Sequence, residues 1–122
     1  MGAFRIIKLP IVCDTNGAAT VQQSEVGVNG YLEEVVYVPG TIATGGDLTI
    51  TVENSVQSKA ILTLTDAGTS TLVKYPRGSG CGATGVVGTD AIQHIPVIGQ
   101  FKVVVAQGGN GGAGALYFTV LE

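Results

Sequence analysis

Apolar residues in this chain recur at every second position, and no window places them at i, i+3, i+4 and i+7 among helix formers. That period suits a pleated strand with one dry and one wet face, and it excludes an amphipathic helix. Residues 30–53, GYLEEVVYVPGTIATGGDLTITVE, display it best. Positions 31–38 are rich in β-branched and aromatic residues, and over 47–53 Leu48, Ile50 and Val52 share one face while Thr49 and Thr51 share the other. Pro39-Gly40 and Gly45-Gly46 lie between, so the stretch reads as two strands joined as a hairpin by a turn-rich loop. A hairpin is not stable alone, and the remaining chain must supply a second layer.

The rest of the sequence repeats the pattern. FRIIKLPIV, residues 4–12, is a strand in which Pro10 cannot donate to a ladder, which puts it at an edge. Asp14-Thr15-Asn16-Gly17 is a turn, after which residues 18–23 are expected to return antiparallel on the first strand. Residues 60–65 and 69–75 are expected to pair as a hairpin about Asp66-Ala67-Gly68. Residues 78–90 are the least regular stretch. Strand signal returns weakly over 92–98, strongly over 100–106, and again over 115–121 after a glycine turn.

Eight or nine short strands and no helix predict one all-β domain over residues 1–122, with residues 1–12 as an N-terminal arm or edge strand. The expected architecture is an antiparallel two-sheet β-sandwich, jelly-roll-like, because the chain lacks the Trp of an immunoglobulin core. The expected core is Ile6, Leu32, Val36, Leu48, Ile50, Val52, Leu62, Leu64, Phe101, Val103, Val105, Leu116, Phe118 and Val120. One conflict stands inside that list. If Leu32, Val36 and Val38 face inward, Glu34 does too, so a bulge or an exposed strand end is needed.

Charged residues are only 12% of the chain, about half the usual share, so its surface is mostly Thr, Ser, Gln, Asn and Gly. Such a surface packs against another protein with little desolvation. A net charge of −3, with six scattered basic residues, argues against nucleic acid as partner. No apolar run approaches the roughly 20 residues of a membrane helix, and the N-terminus carries no secretory or myristoylation pattern. The expected site of synthesis is a cytoplasm, where free thiols are favoured over a Cys13–Cys81 disulfide.

The chemistry-bearing patterns are thin. Residues 80–85 and 109–114 match G-x-G-x-x-G, but neither opens a helix, and turns explain both better than a cofactor site. His94 has no nucleophile motif around it. Asp14, Asp66 and Asp90 lack the spacing of a calcium loop and suit turns instead. The expectation is therefore no catalytic residue, no cofactor and no metal. Outward tyrosines on a charge-poor surface can anchor an interface. The candidate contact residues are Phe4, Ile6, Tyr31, Tyr37, Tyr75 and Arg77, in the N-terminal arm, on the strands and in the loop over 76–90.

The segments GYLEEVVYVPGTIATGGDLTITVEN, TDAGTSTLVKYPR and FKVVVAQGGNGGAGALYFTVLE resemble the head decoration, or capsid cement, proteins of tailed bacteriophages. The resemblance implies a non-enzymatic virion structural protein that binds the outer surface of the major capsid protein lattice, as a homo-oligomer and most often a trimer. Two other readings stay open from the residues: a carbohydrate- or receptor-binding jelly-roll module, and a phage tail or baseplate component.

Overall fold

The computed structural model describes the backbone of residues 3–81 and 87–122, and the side chains of residues 3–78 and 93–122. Among the described residues nine strands follow one another: β1 (Phe4–Val12), β2 (Ala19–Gln22), β3 (Val28–Val38), β4 (Asp47–Glu53), β5 (Ser58–Leu64), β6 (Leu72–Lys74), β7 (Arg77–Cys81), β8 (Val87–Ala106) and β9 (Ala113–Leu121). All pairings are antiparallel. One sheet runs β1-β9-β3, with the middle of β8 and then β6 on the far side of β3. The other runs β5-β4-β8, with β2 beyond β8. The fold is the predicted antiparallel β-sandwich.

β8 belongs to both layers. Its residues Ile95–Gly99 pair with β3 in the first sheet, and Gln100–Ala106 pair with β4 in the second. The change of sheet falls at Gly99, whose φ is +130°, and a Cβ there would overlap the Glu53 carbonyl oxygen. Only glycine satisfies both conditions, so this residue makes the corner.

Three expected hairpins do not form. β3 and β4 lie in different sheets, and the loop over 39–46 crosses between them. β2 pairs with β8 and not with β1, because the Asp14 turn also carries the chain across the sandwich. β6 pairs with β3 and not with β5. The irregular stretch after Pro76 is a strand, β7, laid against the start of β8; Gly82 to Val86 fall outside the described residues.

The core lies between the sheets. Phe101 on β8 and Phe118 on β9 are fully buried, and their rings stack 4.0 Å apart, centroid to centroid, across the two layers. Leu32, Leu48, Ile50, Val52, Leu64, Val103, Val105, Leu116 and Val120 are buried as expected. Ile6 and Val36 are not core residues. In β1 the buried set is Ile7, Leu9 and Ile11, one position out of step, and Ile6 is 65% exposed. In β3 the register against β9 shifts between Leu32 and Glu34. The bulge sends Val35 and Tyr37 inward and turns Glu34, Val36 and Val38 outward, which removes the conflict at Glu34. A second shift, opposite Ile50 and Thr51, buries Ile61 and leaves Leu62 half-covered.

Candidate functional site

The register places the outward side chains of five strands in rows across the first sheet. Phe4, Leu121, Tyr31 and Pro96 form the first row. Ile6, Thr119 and Glu34 form the second, and Lys8, Tyr117, Val36 and Val73 the third. Pro10, Ala115 and Val38 form the fourth, and Val12 stands beside Ala113. Phe4 is 67% exposed and Val12 is 70% exposed, and Tyr31, Val38 and Val73 are exposed as well. Scattered exposed aliphatics are ordinary, but a contiguous face of them marks a contact surface. Within these rows the charged side chains are Lys8 and Glu34, and the Glu33–His94 pair stands beside Tyr31 and Leu121; the Lys8 ammonium sits 5.7 Å from the centre of the Tyr117 ring.

The face exists because β1 is apolar at both parities. Ile7, Leu9 and Ile11 supply the core, and Phe4, Ile6, Pro10 and Val12 supply the outside. Of the candidate contact residues, Phe4, Ile6 and Tyr31 meet here. Tyr75 is exposed just after β6. Tyr37 is not an interface residue: it is 1% exposed, turned into the core by the bulge, and its hydroxyl has no hydrogen-bond partner there. Burial pushes its phenol up, and the neighbouring Cys13 adds to that. Arg77 is half-buried and donates from Nη1 to the carbonyls of Glu33 and Pro76, 3.0 and 2.8 Å away. The residues missed from sequence are Val36, Val38, Val73 and Leu121, whereas Tyr117 is outward as the alternation of its strand predicts. The signal for the two valines of β3 was the Glu34 conflict itself.

The remaining polar clusters are largely committed to the fold. His94 Nε2 lies 3.2 Å from the Glu33 carboxylate, beside a cleft of about 350 Å³ that Lys59, Arg77 and Pro96 also line. Lys59 Nζ donates to the Pro96 carbonyl at 2.5 Å, so two of the three basic groups there already hold backbone oxygens. In the glycine turn before β9, the Gly108 and Gly111 amides donate to the carbonyls of Gly17 and Asp14 at 2.8 and 3.1 Å. Those donors lock loops together and do not point at a phosphate. Asp14 Oδ1 accepts from the amides of Asn16 and Ala18, closing its own turn. Asp66 has φ 48° and donates its amide to Asp47 Oδ1. The side chain of Asp90 lies outside the described residues, as does that of Cys81. Cys13 is buried and free; burial and then the Asp14 charge push its thiol up. Among the described residues no three His, Cys, Asp or Glu side chains gather as a metal site.

No family model and no curated protein matches the chain. Among solved structures, FLHE overlays 98% of this chain on 99% of its own, at 10% identity and a TM-score of 0.43. The infectious bursal disease virus Gx strain structure overlays at 14% identity and a TM-score of 0.45. The Gt strain structure overlays at 15% identity and 0.38. This chain spans 33% and 32% of those two viral chains.

Proposed function

We propose that this protein is a non-enzymatic virion structural component that lays the outward face of its β1-β9-β3-β6 sheet on the outer surface of an assembled phage capsid lattice. The observation that carries the reading is the contiguous apolar face from Phe4 to Val73, on a chain of which only 12% is charged. Burying such a face against a neutral protein surface is favourable at about 25 cal/mol per Å² and requires little charge desolvation. Each contact is modest, and a repeating lattice multiplies it through effective concentration. The resemblance of its strand-and-turn segments to decoration proteins supports the head over the tail.

The test is to add fluorescently labelled protein to tailed phage particles and image where it binds. Signal spread over the whole capsid is the expected outcome. Signal confined to one end moves the protein to the tail or baseplate, and no binding, together with reproducible sugar binding on a glycan array, replaces the reading by the carbohydrate one. Val38→Asp and Val73→Asp, both on the exposed face, are expected to keep the circular dichroism spectrum and lose capsid binding.

A further inference from the structure

Among the described residues, β1 ends the first sheet with one side of its backbone unpaired. Ala3 and Glu122 exchange two hydrogen bonds, at 3.0 and 2.9 Å, and the Cys13 amide donates to the Gly112 carbonyl at 2.8 Å. Bonded pairs alternate along an antiparallel ladder, so the odd residues of β1 face β9 and the even ones face outward. The free edge therefore carries the N–H groups of Phe4, Ile6, Lys8 and Val12, and Pro10 falls where a missing donor does not hurt the β9 ladder.

The other edges are poorer templates. β2 has 4 residues, β6 has 3, β5 is broken by the shift at Ile61, and the 5-residue β7 is broken by a shift between Ser79 and Cys81. β1 pairs with β9 over nine residues with no register shift.

We propose that two copies of this chain join through β1, antiparallel about a two-fold axis at Ile6, so that the two first sheets become one. In this register Ile6 meets Ile6 and Phe4 meets Lys8, and the N–H groups of all three residues find carbonyl partners on the other copy. Moving the axis to Lys8 sets the two ammonium groups opposite each other and puts Pro10 across from Ile6, which leaves a carbonyl without a donor. The Ile6 register avoids both: the ammonium of each Lys8 faces the Phe4 ring of the other copy, and the two lysines lie apart at the ends of the segment. An edge that matches itself closes as a pair, whereas a trimer needs two different edges. Five residues a side make a small interface, well under about 1,200 Å² in total, so the pair forms and parts with concentration.

The contact is separate from lattice docking, and its test needs no phage. Paired Ile6 Cα atoms would stand about 5.5 Å apart, within disulfide reach. In a Cys81→Ser background, with Cys13 buried, Ile6→Cys is expected to cross-link under mild oxidation at least ~10-fold faster than Val12→Cys. Val12 is as exposed as Ile6 and lies outside the paired segment, so it reports random collision. Phe4→Cys/Lys8→Cys is expected to cross-link as Ile6→Cys does. Equal rates for Ile6→Cys and Val12→Cys overturn the proposal, and so does Phe4→Cys alone linking fastest. Ile6→Pro supplies a second measurement, since it deletes an outward donor at a parity where the strand already holds Pro10. Wild-type protein should sediment as a monomer–dimer equilibrium over a micromolar-to-millimolar dilution series, and Ile6→Pro as monomer throughout. A wild type that stays monomeric over the whole series overturns it.

Discussion

Ile6 and Ile7 are chemically identical neighbours with opposite surroundings, and replacing each by Ala gives the sharpest check on the outward face. Ile7 is fully buried against the core, and Ile→Ala at such a site costs about 2–5 kcal/mol in lost transfer energy and cavity. Ile6 is 65% exposed, so folding hides about a third of a side chain whose complete burial is worth about 1.5–3 kcal/mol. Its truncation should cost below about 1 kcal/mol. Urea unfolding followed by circular dichroism, at a concentration too low for self-association, measures both. With a slope of about 2 kcal/mol/M, a loss of about 3.5 kcal/mol moves the Ile7→Ala midpoint by about 1.8 M. The matching fall in Tm is about 14 °C for a domain of this size. The Ile6→Ala midpoint should move by less than about 0.5 M. Equal losses, or a larger one at Ile6, would mean that β1 is slipped by one residue on β9. Every side chain of the strand would then change faces, and the apolar surface would vanish with the slip.

Two further outcomes follow from single residues. Glu53 accepts hydrogen bonds from the Ser58 hydroxyl and from Thr51 Oγ1, and these hold its carboxyl below the ordinary carboxylate range. The folded value lies below the unfolded one, so the stabilisation is complete above the ordinary range and is lost as pH falls through the folded value; urea midpoints across that acid range should fall in the wild type and flatten in Glu53→Gln. Gly99→Ala must place a Cβ at φ +130° against the Glu53 carbonyl, and should lower stability by about 2–4 kcal/mol, read as a fall in Tm of roughly 10 °C or more.

Strand existence was readable from the sequence because local alternation and turn residues determine it. Strand partners were not, since Pro39-Gly40 and Gly45-Gly46 bend the chain equally well into a hairpin or across the sandwich. The face of β3 was misread beyond Glu33 because a bulge inverts the alternation without leaving a glycine to mark it. In β1, both parities of FRIIKLPIV are apolar, so periodicity could not say whether Ile6 or Ile7 goes inside. That ambiguity is itself the trace of the candidate site, since a strand needs apolar residues on its second face only where something covers it.

The position of β9 between β1 and β3 has a consequence for synthesis. β1 and β3 leave the ribosome early, yet the strand that joins them comes after all the others in the chain. Until it arrives, both hold open edges flanked by apolar side chains, and nothing local can close them. A nascent chain arrested before residue 113 therefore exposes two sticky strands at once, and the edges that face each other close in a single event when β9 slides between them, while the outer edge of β1 stays open.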